Sequence, residues 1–122
     1  MELSVVIPCR NGAATLGTQL RALALQPASG EWEIVVADNG STDGTADVAA
    51  GFSGSPVPIR GVDASGVSGI NHARNKGVRA AGGRLIVLCD ADDIVESGWL
   101  LAMWDALAGG ADLVGGDDLR PG

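Results

Sequence analysis

The strongest structural signal in the sequence is the stretch Arg84-Leu85-Ile86-Val87-Leu88-Cys89-Asp90-Ala91-Asp92-Asp93. It begins with a short, continuous apolar run, which is typical of a strand buried on both faces of a sheet. Such strands belong to parallel sheets whose two faces are covered by helices. The apolar run stops directly at a cluster of carboxylates. This stretch therefore predicts a buried parallel strand with a strongly acidic carboxyl end.

Strand and helix patterns alternate on both sides of this stretch. The predicted strands are residues 4–7, 32–37, 58–62, 84–89 and a last one from 113, and the predicted helices are residues 14–26, 45–52, 69–81 and 97–107. We expect Ser97 to be the N-cap of the last helix. The third helix has a stripe of apolar or small residues, at Ile70, Ala73, Gly77 and Ala81. The alternation predicts one α/β domain over residues 1–122, with a doubly wound, mainly parallel sheet and helices on both faces.

Charge and composition exclude several classes of partner. The net charge is −7 and the basic residues form no cluster, which argues against nucleic acid as a partner. No apolar stretch approaches the ~20 residues of a membrane-spanning helix, so we expect no membrane span. Cys9 and Cys89 fit no zinc or disulfide spacing, and we therefore expect reduced thiols and a cytoplasmic protein.

Polar residues collect where the predicted strands end. The first strand is followed by Pro8-Cys9-Arg10-Asn11-Gly12, the second by residues 38–45 and the fourth by the acidic cluster. Ligands of parallel α/β sheets bind outside the carboxyl ends of the strands. The three segments are thus predicted to line one cleft.

The acidic cluster at Asp90, Asp92 and Asp93 is predicted to bind a divalent metal ion, Mg or Mn. Carboxylates this close repel one another unless a cation or protons neutralise them. A divalent cation held by one or two carboxylates can also bind a substrate diphosphate, which would let a chain of charge −7 hold an anion. The alternative is a turn followed by an Asp cap. The preceding strand and the similar loop after the second strand favour the metal site.

Two further side chains are candidates for contacts to a base, each with a structural alternative. Asp38 can accept hydrogen bonds from a nucleobase or a ribose, or it only builds a turn while Asp43 or Thr45 caps the next helix. Arg74 can reach a base carbonyl or a phosphate, or it lies on a solvated helix face.

The single histidine and two of the tryptophans have simpler interpretations. His72 has no partner that spacing identifies, so we expect a structural or surface role. We expect Trp99 and Trp104 to pack against the sheet from the last helix rather than to form a platform for a sugar.

Four segments together resemble the family 2 glycosyltransferases. Residues 4–11 are similar to the family's opening strand, which is followed by Pro, a small residue, an aromatic and Asn. Residues 33–45 resemble the second-strand signature, and residues 69–77, with Ala73-Arg74-Asn75, resemble the helix before the metal motif. Asp90-Ala91-Asp92 stands where the family has D-x-D. The four segments occur in the family's order and span nearly the whole chain.

This resemblance implies the nucleotide-binding half of a GT-A fold and a nucleotide-diphosphate-sugar donor, with a UDP-sugar favoured. The nucleotide-sugar-binding residues that it implies are Pro8, Cys9, Arg10, Asn11, Asp38, Asn39, Arg74, Asp90 and Ala91. Among them, Pro8 and Cys9 would contact the base region through their backbone, Asp38 and Arg74 would contact the base, and Asp90 would face the ribose or sugar. Asp92 would bind a Mg or Mn ion that bridges both phosphates. Transfer would invert the anomeric centre, and the acceptor hydroxyl, on a saccharide or a lipid-linked molecule, is unknown.

Two departures from the family pattern leave a second hypothesis open. Arg10 replaces the aromatic residue, so a guanidinium would stack on the base instead of a ring. The family's general base belongs to the acceptor half, which we expect these residues to lack; neither Asp117 nor Asp118 is assigned as the base, and the catalytic residues stay unknown. A non-catalytic nucleotide-sugar-binding fragment is therefore the alternative. A missing half would leave a surface that favours a homo-oligomer.

Two other α/β classes fit the sequence less well. A dinucleotide-binding domain has G-x-G-x-x-G after its first strand, where this chain has Pro8-Cys9-Arg10-Asn11-Gly12. An Asp-dependent phosphatase opens with D-x-D and follows it with Thr or Val, where this chain has Ile94.

Overall fold

The structure, a computed structural model, describes residues 1–52, 54–109 and 114–115. Its strands are β1 (Leu3–Cys9), β2 (Trp32–Asp38), β3 (Ile59–Asp63), β4 (Leu85–Leu88) and β5 (Val114–Gly115). Its helices are α1 (Ala13–Ala24), α2 (Thr45–Ala50), α3 (Ile70–Ala80) and α4 (Trp99–Ala108). The alternation predicted from the sequence is confirmed.

The five strands form one parallel sheet in the order β3-β2-β1-β4-β5. β2 and β3 follow β1 on one side of it, whereas β4 and β5 lie on its other side. The order of the strands therefore reverses between β1 and β4. In open α/β sheets the crevice at such a reversal is the usual place for a ligand.

Helices cover both faces of the sheet. On one face, Leu16 and Leu20 of α1 and Leu100 and Trp104 of α4 pack in the larger core cluster, together with Ile7 and other alternate residues of the strands. On the other face, a smaller cluster around Val6, Val35 and Leu88 packs against Val78 of α3. The doubly wound architecture is thus confirmed, and Trp104 packs in the core as expected.

Helix α3 approaches the sheet closely because a glycine faces it. A β-carbon at Gly77 would collide with the side chain of Val6 and would lie 3.2 Å from the β-carbon of Ala37. The absence of a side chain lets α3 lie flat on β1 and β2. Its buried residues are Ala73 and Gly77, whereas Ile70, placed on the same stripe by the sequence, begins the helix and is 46% exposed.

The predicted N-cap Ser97 is wrong, and the structure shows what replaces it. Helix α4 begins at Trp99 after Gly98, which adopts a left-handed φ of +85°, and no N-cap side chain bonds to the helix. Ser97 lies in the turn closed by the hydrogen bond from the Trp99 amide to the Glu96 carbonyl. The free amide of Leu100 donates instead to Oε1 of Gln26, at 3.2 Å. A side chain from the turn that follows α1 therefore satisfies the helix end that Ser97 was expected to cap.

At the amino ends of the strands, one buried carboxylate ties several segments together. Glu33 of β2 accepts hydrogen bonds from the Ser4 hydroxyl at 2.6 Å, the Gly82 amide at 2.7 Å and Nε of Arg60 at 3.1 Å. The Ser4 oxygen in turn accepts from the amide of Gly83 at 2.8 Å. Burial alone raises the pKa of Glu33, but these hydrogen bonds outweigh it and hold the pKa below its ordinary value.

Asp117, Asp118 and Leu113 lie outside the described residues. Within the part of the chain that the structure describes, no helix has the length and apolar character needed to cross a membrane.

Candidate nucleotide-binding site

The candidate site begins where β1 and β4 separate. The two strands are paired from Leu3 and Leu85 up to Val6 and Leu88, and the amide of Cys89 then donates to the Val6 carbonyl at 3.0 Å. Even-numbered residues of β1 direct their backbone groups toward β4, so the missing N–H of Pro8 falls where the pairing has ended. Proline fits an interior strand only at such a point. The pairing of β1 with β4 thus ends at the reversal in strand order, where the crevice of an open α/β sheet lies.

The acidic segment, which we call the acidic loop (residues 90–95), follows β4 at this crevice. Asp90, Asp92 and Asp93 are all exposed. The carboxylates of Asp92 and Asp93 make no hydrogen bond or ion pair with the described residues. A cleft of about 490 Å³ beside the loop is lined by Asp90, Asp93, Arg74 of α3 and Trp99 of α4. Asp92 and Asp93 therefore present their charges to solvent rather than using them to build a turn.

A buried glutamine holds the backbone of the acidic loop from the side of the core. It was not among the residues predicted from the sequence. Nε2 of Gln19, on α1, lies 2.9 Å from the carbonyl oxygen of Asp90 and 2.6 Å from that of Asp93. Its Oε1 accepts from the amide of Val95 at 3.0 Å. The signal was present in the sequence, because Gln19 occupies an apolar position on the helical stripe that also contains Leu16, Leu20 and Leu23.

The loop after β2, which we call the second-strand loop (residues 38–45), uses its carboxylates internally. Oδ1 of Asp38 accepts from the Ser41 amide at 3.0 Å, as the turn alternative predicts. Asp43 accepts from the amide and hydroxyl of Thr45, which begins α2, and from the amide of Ala13, which begins α1. These hydrogen bonds, that of the Thr45 hydroxyl first, lower the pKa of Asp43. Asp43 thus joins the amino ends of two helices.

Asn11 and Asn39 hold neighbouring segments in place. Asn11 has a φ of +53° and accepts from the Thr42 amide at 2.9 Å through Oδ1. Asn39 is buried; its Nδ2 donates to the carbonyl oxygens of Ala64 at 2.7 Å and Val67 at 2.8 Å, and its Oδ1 accepts from Gly69 at 2.9 Å. The carboxamide of Asn39 therefore shapes the segment that leads into α3.

The basic side chains lie on the β1 and α3 sides of the crevice. Arg10 is exposed, and its Nη1 donates to the Ser68 hydroxyl at 2.7 Å, so the guanidinium reaches from the end of β1 to the segment before α3. Arg74 is half-buried and lines the cleft, and its Nε has no partner among the described residues. His72 is half-buried, and its Nε2 likewise lacks a partner within the described chain.

Carboxylates of both the second-strand loop and the acidic loop influence the pKa of the Cys9 thiol. Burial raises the pKa of the Cys9 thiol, and the carboxylates of Asp38, Asp43 and Asp92 raise it further, against a lowering hydrogen bond with the Gly12 backbone. Ala91 lies close by, since a β-carbon at Gly12 would be 3.5 Å from that of Ala91. The predicted site residues at the ends of β1, β2 and β4 are therefore neighbours.

The donor set of the acidic loop fits an open metal site rather than a closed one. Among the described residues, no three His, Cys, Asp or Glu side chains are grouped to hold a metal ion. Exposed Asp92 can supply one carboxylate, and the remaining positions of a magnesium-like ion are commonly taken by water and substrate phosphates. The chemistry of the residues thus fits Mg or Mn only together with an anionic ligand.

The parallel sheet, its strand order and an acidic loop at the crevice define a GT-A-like α/β domain. The sequence profile described as glycosyl transferase family 2 matches residues 4–117, and the chain belongs to this family.

Named relatives agree with this assignment. Glycosyltransferase AglE of Haloferax volcanii is 34% identical over 118 residues, covering 94% of this chain and 38% of the relative. The PGL/p-HBAD biosynthesis glycosyltransferase of Mycobacterium tuberculosis is 35% identical over 117 residues, covering 93% of this chain and 45% of the relative. The chain therefore spans less than half the length of these curated relatives.

Solved structures share the fold. The S. aureus TarS structure superposes with a TM-score of 0.70 at 27% identity, over 88% of this chain and 19% of that one. The complex of TarS 1–349 with UDP-GlcNAc gives a TM-score of 0.66 at 26% identity, over 88% of this chain and 30% of that one. The GT-A-like fold expected from the sequence is confirmed.

Proposed function

We propose that this chain is the donor-binding part of a glycosyltransferase and binds a nucleoside-diphosphate sugar with the help of a divalent metal ion. The observation that carries the proposal is the exposed acidic loop at the β1–β4 crevice, beside a cleft lined by Arg74. A UDP-sugar is the favoured donor, since similar structures of TarS hold UDP-GlcNAc and UDP. Membership of family 2 supports the transferase class.

The proposed roles follow the positions of the residues around the crevice. The backbone of Pro8 and Cys9, at the end of β1, would contact the base region. Asp38, at the end of β2, and Arg74, on α3, would contact the base through a carboxylate oxygen and a guanidinium. Asp90 would face the ribose or sugar. Oδ1 of Asp38 already accepts a hydrogen bond from the Ser41 amide, so Oδ2 would be the oxygen that binds the ligand.

Asp92 would hold the metal ion through its exposed carboxylate. Mg or Mn at this position would neutralise the diphosphate and the charge that develops on the leaving nucleotide. The ion would also reduce the electrostatic repulsion between an anionic donor and the chain, whose net charge is −7.

Arg10 would have to break its hydrogen bond with Ser68 in order to stack on a base.

For the whole protein we propose inverting transfer to an acceptor hydroxyl, with none of the described residues assigned as the general base. The alternative is a fragment that binds the donor without turnover, and the short span relative to AglE favours it for these residues alone. We expect no acceptor-dependent release of nucleoside diphosphate from this chain by itself. If such release is observed, these residues alone catalyse transfer, and the alternative of a fragment without turnover is refuted. A cytoplasmic location and a homo-oligomer stay predictions.

Calorimetry with free nucleotides tests the proposed donor binding directly. UDP, GDP and dTDP are titrated separately into the protein with Mn, with Mg and with EDTA. We expect UDP to bind, and to bind more tightly with either metal than with EDTA, because the ion offsets repulsion between the diphosphate and the acidic loop. Absence of binding by all three nucleotides in the presence of metal would refute the proposal.

A further inference from the structure

We infer that Gln19 is a positioning residue that fixes the acidic loop in the conformation that presents Asp92 for metal binding. The inference rests on the proposed function, since it assigns a role in metal-assisted donor binding to a residue of α1 outside the crevice rim. Gln19 does not reach the ligand side of the loop. Its role is exerted entirely through the loop backbone.

The hydrogen bonds of Gln19 bracket the segment that they hold. The side chain is fully buried, and its carboxamide contacts the carbonyl oxygens of Asp90 and Asp93 and the amide of Val95. Nε2 also lies 2.9 Å from Sγ of Cys89. The two carbonyl groups stand on either side of Ala91-Asp92, so the backbone that carries Asp92 is pinned at both ends.

The orientation of the carboxamide is set by its partners. Two of the neighbours of Nε2 are carbonyl oxygens, which only accept, and the neighbour of Oε1 is a backbone N–H, which only donates. A flipped amide would place like groups against one another. The side chain therefore has a single satisfied arrangement, and the loop conformation that it supports is equally specific.

The loop depends on this support because the side chains of Asp92 and Asp93 do not hold it in place. Residues 90–95 belong to neither a strand nor a helix, and the exposed carboxylates of Asp92 and Asp93 make no hydrogen bond with the described residues. Carboxylates placed this close repel one another in the absence of a cation. A buried amide that accepts and donates at three backbone points offsets this repulsion without occupying the carboxylate oxygens.

Gln26, just past the end of α1, provides a matched comparison. Its carboxamide contacts the Glu96 carbonyl at 3.0 Å and the Leu100 amide at 3.2 Å. These contacts fix the start of α4 rather than the acidic residues. Both glutamines thus hold backbone segments in place, but only Gln19 holds the backbone on either side of the proposed metal ligand Asp92.

The test compares Gln19→Met with Gln26→Met, both of which keep the length of the side chain and remove the carboxamide. Folding is checked by circular dichroism, and UDP affinity is measured with Mn and with EDTA. We expect Gln19→Met to lower the ratio of the two affinities about tenfold, the usual effect of losing an outer partner of a metal site. Gln26→Met should keep the wild-type ratio within about twofold. A wild-type ratio in Gln19→Met, or an equal loss in both variants, would overturn the inference.

A measurement on the wild-type chain covers the case in which Gln19→Met fails to fold. The amide of Val95 should exchange its hydrogen at least about tenfold more slowly than an unprotected amide, because Oε1 of Gln19 accepts from it. Unprotected exchange at Val95 would contradict the inference on its own. If the wild type shows no metal-dependent UDP binding while Val95 is protected, the proposed function fails and the structural support of the loop stands.

Discussion

The two ends of the parallel sheet treat their carboxylates in opposite ways. At the amino ends, Glu33 is buried and accepts hydrogen bonds from a hydroxyl, a backbone amide and a guanidinium. At the carboxyl ends, Asp92 and Asp93 of the acidic loop are exposed and their carboxylates make no hydrogen bond with the described residues, while Gln19 holds the backbone of the loop. The second-strand loop is intermediate, since Asp43 is exposed yet joins two helices.

This difference distinguishes carboxylates that stabilise the fold from carboxylates whose oxygens are available to a ligand. A carboxylate whose oxygens are occupied by donors contributes to stability, and its removal leaves those donors unsatisfied. A cluster of carboxylates without such donors costs repulsion in the free protein, a cost that a bound cation removes. This difference fits the proposed ligand role of Asp92 and a structural role of Glu33. Substitutions at each place test this division.

The largest expected effect is on stability, from Glu33→Ala. The change leaves the Ser4 hydroxyl and the Gly82 amide without an acceptor, and we expect the free energy of unfolding to fall by about 3 kcal/mol. The pair with Arg60 adds little, because the Arg60 side chain is 46% exposed. Urea denaturation measures the loss. Any UDP affinity, measured with Mn where the variant is folded, should stay unchanged; a large change would break the distinction between the two ends.

The same carboxylate should make stability depend on acid pH. The pKa of Glu33 is lowered in the folded protein, so its contribution is fully present above the unfolded-state value of about 4.3 and is lost as the pH falls through the lower folded pKa. Urea denaturation between neutral and acid pH should show a smaller acid-induced loss for Glu33→Gln than for the wild type. Parallel curves for the two proteins would show that Glu33 is not responsible.

Next in size is the effect of Asp92→Asn on ligand binding. Removal of the charge should abolish the advantage of Mn over EDTA in UDP binding, a loss of at least about tenfold if the carboxylate is the direct ligand. Because its carboxylate makes no hydrogen bond with the described residues, the stability should change by less than about 0.5 kcal/mol. Asp93→Asn is the matched control, removing an equal charge one residue away. Equal losses in both variants would show that the effect is not specific to Asp92, since Asp93 also lines the cleft.

The smallest effect is expected from Asp43→Asn, on the rim but with a structural role. Asparagine keeps one acceptor and loses the other, so either the contact with Thr45 or the one with Ala13 is weakened. We expect the melting temperature to fall by a few degrees, and the ratio of UDP affinities in Mn and EDTA to remain as in the wild type. A variant that melts normally but loses the metal dependence would move Asp43 into the ligand site.

The sequence predicted the order and approximate ends of the elements well, because most strands are marked by short apolar runs and most helices by apolar residues at helical spacing. It also placed the ends of β1, β2 and β4 together, since parallel strands share one carboxyl edge. Ser97 was wrongly predicted as a cap, because the Leu100 amide is satisfied by Gln26, which follows α1 and is far away in sequence. Local patterns cannot identify a partner of that kind.

Side-chain roles at the site were harder to predict for the same reason. Asn39 was placed among the ligand-binding residues by resemblance, and the structure shows that its carboxamide bonds to Ala64, Val67 and Gly69. Its predicted contact with a nucleotide sugar stays a prediction. Gln19 was overlooked, although a polar residue on the buried stripe of α1 marks a side chain that must find polar partners.

The most direct test of the central claim locates the metal–nucleotide complex on the sheet by NMR. Backbone amide signals are compared in the presence of UDP with Mg, which is diamagnetic, and with Mn, which broadens the signals of nearby nuclei. We predict that the signals of Asp90, Ala91 and Asp92 disappear with Mn and UDP, while those of Glu33 and Gly82 stay sharp. Sharp signals throughout the acidic loop, or broadening centred on Glu33, would contradict the account.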